Sequence, residues 1–120
     1  MAIETTSSRL FPPTFLNDMT SVVLINQLDE RIFIKNIYLF NTDDIVTEDI
    51  NVQIYYIPAG ASVTDERLFL SHRINSSQQK TYNFEDPGII LENQGDSIVI
   101  HVSKANKVNC QIFGYKEITV

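Results

Sequence analysis

Cysteine, tryptophan, glycine and cationic residues are all scarce in this chain, and each shortage removes a class of proteins. The single cysteine, Cys110, has no partner for an intrachain bridge, which removes the disulfide-stapled scaffolds. With only four glycines there is no Gly-rich phosphate loop and no Gly-x-Ser-x-Gly nucleophile turn. Tryptophan is absent, which counts against a sugar-binding module, although Tyr55, Tyr82 and Tyr115 offer substitute stacking rings. Nine Lys plus Arg stand against fifteen Asp plus Glu, a net charge of −6, and no three basic residues are adjacent. A phosphate backbone needs clustered cations, so nucleic acid is not expected as a partner. No stretch approaches the roughly 18–20 apolar residues that span a bilayer, so no membrane partner is expected either. The start, Met1-Ala2-Ile3-Glu4-Thr5-Thr6, has neither the basic residues nor the apolar run of a secretory signal, which leads us to expect synthesis in a cytoplasm.

What remains is one domain's worth of chain, 120 residues, able to bury roughly two thirds of its unfolded surface without metal or bridge. From Ser21 onward apolar residues alternate with polar ones, the mark of half-buried strands. Eight strands are predicted: 21–27, 31–41, 49–57, 67–74, 79–84, 89–91, 97–103 and 107–118. In the first, Val22, Leu24 and Asn26 share a face. In the second the apolar phase switches from Ile32 and Ile34 to Ile37 and Leu39 across Lys35-Asn36, as a β-bulge would make it. Ile50, Val52, Ile54 and Tyr56 share one face of the third, with Tyr55 opposite. Leu68, Leu70, His72 and Ile74 share one face of the fourth. Ile98, Ile100 and Val102 oppose Val99 and His101, and Val108, Cys110 and Ile112 oppose Phe113 and Tyr115. Gly114 signals a bulge or a close backbone approach. Turn residues such as Asp86-Pro87-Gly88 and Asn93-Gln94-Gly95-Asp96 separate the strands. Short strands at this spacing predict an all-β, antiparallel two-sheet sandwich of jelly-roll type, over residues 21–120. Residues 1–20 lack periodicity, and Pro12-Pro13 favours an extended path, so they read as an N-terminal arm packing on this sandwich or on a neighbour.

Candidate chemistry is sparse. His72 and His101 form no His-x-His or His-Glu-x-x-His spacing, so no metal or cofactor is expected, and His72, in line with Leu68 and Leu70, reads as a partly buried imidazole. Cys110 lies between Val108 and Ile112 and reads as a small core hydrophobe rather than a nucleophile. Carboxylates gather in loops, at Asp43-Asp44, Glu48-Asp49, Asp65-Glu66, Glu85-Asp86 and Asp96. Asp is a turn residue because its side chain caps backbone N–H groups, and that reading is preferred over a calcium site at Asp43, Asp44, Glu48 or Asp49 and over a glycosidase pair.

The run Arg31-Ile32-Phe33-Ile34-Lys35-Asn36-Ile37-Tyr38-Leu39-Phe40-Asn41-Thr42 is followed by Val52-Gln53-Ile54-Tyr55-Tyr56-Ile57-Pro58-Ala59-Gly60. Next come Leu91-Glu92-Asn93-Gln94-Gly95-Asp96-Ser97-Ile98 and Val108-Asn109-Cys110-Gln111-Ile112-Phe113-Gly114-Tyr115. This order resembles small β-sandwich structural proteins of tailed bacteriophage virions, over about three quarters of the chain. The resemblance implies a virion component that decorates a capsid or builds a neck or tail. It implies partners among other virion proteins, assembly as a homo-oligomer, and no catalytic residue. An arm that grips a neighbour suits that role, with Arg9, Phe11, Phe15 and Leu16 as its partner-binding residues. The alternative is a glycan-binding, receptor-recognising module that uses exposed tyrosines such as Tyr55 or Tyr115, and a small jelly-roll hydrolase comes third.

Overall fold

A computed structural model describes the backbone of residues 3–28, 30–43 and 49–119 and the side chains of 10–28, 30–43 and 49–117. Among the described residues nine strands follow one another: β1 (Ile3–Phe15), β2 (Thr20–Ile25), β3 (Arg31–Asn41), β4 (Ile50–Ile57), β5 (Leu68–Ile74), β6 (Gln79–Asn83), β7 (Ile89–Leu91), β8 (Ser97–Val102) and β9 (Val108–Thr119). The one helical element described is a 3-10 turn at Asp65–Arg67.

Their pairing has a simple logic. Antiparallel ladders join β1 to β9, β2 to β8, β3 to β6 and β7, and β4 to β5, so the first four strands form one long hairpin with the remaining five. That hairpin is rolled until β3 also pairs with β9 and β4 with β8. Two sheets result, ordered β1-β9-β3-β6, with β7 beside β3, and β2-β8-β4-β5. Counting β6 and β7 as one interrupted strand gives the eight-stranded jelly roll.

The core between the sheets is built almost wholly from β-branched and aliphatic residues, which pack well on a pleated surface. Ile32, Ile34, Ile37 and Leu39 of β3 meet Ile50, Val52 and Ile54 of β4, Ile98, Ile100 and Val102 of β8, and Val108, Cys110 and Ile112 of β9. The register between β3 and β9 shifts between Ile34 and Asn36, the bulge predicted from the phase switch at Lys35-Asn36. Gly114 is a close approach: a Cβ there would lie 1.9 Å from the Phe33 carbonyl oxygen.

Three side-chain assignments differ from expectation, each because of an irregularity or an overlying loop. In β2, Val23 enters the core while Val22 is 62% exposed, because a register shift falls between Val22 and Leu24. In β5, a shift opposite Ile54 and Tyr55 sends Leu68 to the far face from Leu70. Val99 and Tyr55 do face away from the core, yet both are buried. They form a second apolar cluster with Ile57, Leu68 and Ala61, the last contributed by the loop that follows β4.

Within the segment expected as an arm, Ile3–Phe15 form β1, the edge strand beside β9. Pro12-Pro13 fall where the β1–β9 register shifts, between Phe11 and Thr14. An edge strand leaves one row of N–H groups unpaired anyway, so proline costs little there.

Candidate interaction surface

The residues with chemical potential are held in structural roles. Cys110 is fully enclosed, and burial pushes its thiol up to about 12, so at neutral pH it carries no thiolate. His101 lies on the outer face of the four-stranded sheet, its Nδ1 2.8 Å from Thr20 Oγ1. His72 is half-buried, edge-on to Tyr82 with ring centroids 6.2 Å apart. Asp43 is buried with Lys104 Nζ 2.9 Å from its Oδ2. Its companions Asp44 and Glu48 in the calcium reading lie outside the described residues, and no three His, Cys, Asp or Glu side chains converge on a metal position among the described ones.

The short recurrent motifs brace the loops. Asp96, at the Gly95-Asp96-Ser97-Ile98 turn, accepts hydrogen bonds from the Ala59 N–H, the Asn93 N–H and the Tyr56 hydroxyl, each at 3.0 Å. Burial works against its charge, but these donors outweigh it and hold the carboxyl below its ordinary value. Desolvation, with Asp96 alongside, pushes Tyr56 up to about 12. Asn41 donates from Nδ2 to the Ile74 carbonyl and accepts at Oδ1 from the Asp43 N–H, while the Thr42 hydroxyl donates to the Lys107 carbonyl. Asn26, wholly buried, donates to the carbonyls of Glu30 and Leu91.

The arm residues separate. Arg9 pairs by its backbone with Phe113, and its side chain lies outside the described residues. Phe11 packs against this chain's own core. Leu16 is 2% exposed, and its N–H donates to the Val108 carbonyl at 2.9 Å. Phe15 alone of the three described side chains stands open, at 45% exposure. Of the tyrosines offered as sugar platforms, Tyr55 is buried with its hydroxyl on Gln53 Oε1, Tyr82 packs against the core, and Tyr115 stacks on Phe33 at 4.5 Å.

Two open surfaces among the described residues carry apolar side chains. The first is the edge of β2, where Val22, Ile25 and, just beyond, Leu28 present apolar side chains to solvent. The second is the outer face of the five-stranded sheet. There Arg31 covers Phe33, Phe33 stacks on Tyr115, and Tyr38 meets Phe113 edge-on at 5.3 Å. Beyond Tyr38 the face opens into a depression of about 540 Å³, bounded by Phe15, Phe40, Tyr38 and Phe113. Its floor and wall carry Asn109, Gln111, Gln79 and Thr42. The outward positions of Tyr38 and Phe40 follow from the inward Ile37 and Leu39. The neighbourhood of Phe15 does not, because it depends on β1 lying against β9.

Comparison with protein-family models and with curated proteins gives no match. Solved structures do match. A chain of Desmodium yellow mottle tymovirus aligns with TM-score 0.58 and 8% identity, covering 98% of this chain and 86% of that one. A chain of the virus-like particle of the extra small virus of the giant freshwater prawn Macrobrachium rosenbergii aligns with TM-score 0.54 and 7% identity, covering 98% and 79%. At such identities the likeness is one of fold: this chain shares its two-sheet jelly roll with those two virus chains.

Proposed function

We propose that the chain is a non-enzymatic structural protein of a virus particle, acting through its sandwich surface and N-terminal strand on other virion proteins. Within that role, decoration of a capsid is favoured over a neck or tail position, with synthesis in the host cytoplasm and residence in the virion. The observation that carries the reading is mutual coverage, since the sandwich aligns over 98% of this chain and 86% of the tymovirus chain. Two further observations support it. Cys110 and both histidines are held in structural roles, and the β2 edge offers apolar side chains beside unpaired backbone groups, a template for strand addition.

Light scattering over a range of concentrations tests the self-assembly this implies. The expected result is a discrete oligomer that dissociates when Val22→Lys and Ile25→Lys place like charges on the exposed edge, with the β-sheet circular dichroism signal retained. A monomer at every concentration, indifferent to both substitutions, would overturn self-assembly.

A further inference from the structure

The ladders of the five-stranded sheet place Phe15 of β1, Asn109 of β9, Phe40 of β3 and Gln79 of β6 in one transverse row. The row alternates ring, carboxamide, ring, carboxamide, and all four side chains line the same depression. Strands lie about 4.8 Å apart, so Phe15 and Phe40 flank Asn109 at a spacing of about 10 Å. One step along β9 and β3, Gln111 stands opposite Tyr38 and repeats the pairing of amide with ring. The depression, about 540 Å³, falls in the range of small-ligand clefts.

We propose that this cleft binds a neutral saccharide. Each part of the chemistry points the same way. A pyranose offers apolar C–H faces that stack on aromatic rings and hydroxyls that both donate and accept. Carboxamides alone among side chains pair a carbonyl acceptor with an N–H donor in one plane. While their backbones belong to the β9 ladders, the side-chain amides of Asn109 and Gln111 hydrogen-bond to no side chain or backbone group among the described residues, and so keep their capacity for a ligand. None of the lining residues is charged. A phosphate or carboxylate would need a cation there, and a metal would need carboxylates or imidazoles, so the wall selects an uncharged, hydroxyl-rich guest. Phe15 and Phe40, at 45% and 40% exposure, are the solvent-facing rings that would cover the sugar's faces. The site does not depend on the virion reading, and it replaces Tyr55, which is buried, with rings on the opposite sheet.

The test is titration of the isotope-labelled full-length chain with maltotriose, cellotriose and triacetylchitotriose to about 10 mM, the regime of weak single-site recognition. Perturbation of the backbone amides of residues 38–42 and 109–113 and of the Asn109 and Gln111 side-chain amides by at least one sugar is expected. Gln111→Ala should weaken binding about tenfold, and Phe40→Ala likewise, with an unchanged amide spectrum elsewhere. Silence of these resonances towards all three sugars would overturn the proposal. So would perturbation of the same resonances by protein concentration alone, because the face would then be covered by a second copy.

Discussion

Asp96 shows how much of this fold hangs on one turn residue. Its two carboxylate oxygens collect three donors from two loops and a strand, inside a site 1% exposed. An asparagine there keeps one acceptor but points an NH2 at a backbone N–H. Asp96→Asn is therefore expected to cost about 2–4 kcal/mol, the range for lost charge-assisted bonds plus an unpaired buried donor, measured by urea unfolding. The pH dependence has a definite sign. The folded carboxyl titrates below its ordinary value of 3.8, so its stabilisation is fully present above that value. It is lost as pH falls through the folded value. The native chain should lose stability below about pH 3.8, and Asp96→Asn should flatten that acid limb. The sequence marks Asp96 as a turn residue, but its reach to Ala59 and Tyr56 depends on a distant loop coming alongside.

The same holds for β1 as an element. Its pattern is broken by Pro12-Pro13, so alternation fails where two-sided strands would show it, and only the tertiary context makes it a strand. Removing residues 1–16 would strip the edge from β9 and take Leu16 from the core, where a leucine-sized hole alone costs about 2–5 kcal/mol. Such a truncation should unfold broadly in urea and aggregate through the bared β9 edge. Phe15→Ser, by contrast, alters an open side chain and should shift stability by less than about 1 kcal/mol. A truncated chain as stable as the full one, by the same urea measurement, would show that β1 contributes nothing to the sandwich. Assembly is better probed by point changes on the surface than by deletion.

At the scale of the molecule, nearly every ladder except β4–β5 and its neighbours joins distant segments, and β1–β9 closes a loop around the whole chain. Loop-closure entropy must be met before those contacts reward it, so refolding is expected on the millisecond-to-second scale, followed by stopped-flow tyrosine fluorescence. Microsecond refolding would mean that the long hairpin is not closed in the rate-limiting step. The molecule is elongated, at 55 × 28 × 23 Å.

Period-two alternation and turn chemistry by themselves determined that this chain is an all-β sandwich, down to the bulge at Lys35-Asn36 and the inward faces of β4 and β9. Those are local properties: alternation and turn preference are written within a few residues of each other. Tertiary structure alone decided which strands are neighbours. It turned residues 3–15 into an edge strand, buried Leu16 and Tyr55, and exposed Val22. It also brought Phe15, Asn109, Phe40 and Gln79 into one row from four separate places in the chain. Register between distant strands is set by the packing of the whole core, which no window of sequence contains.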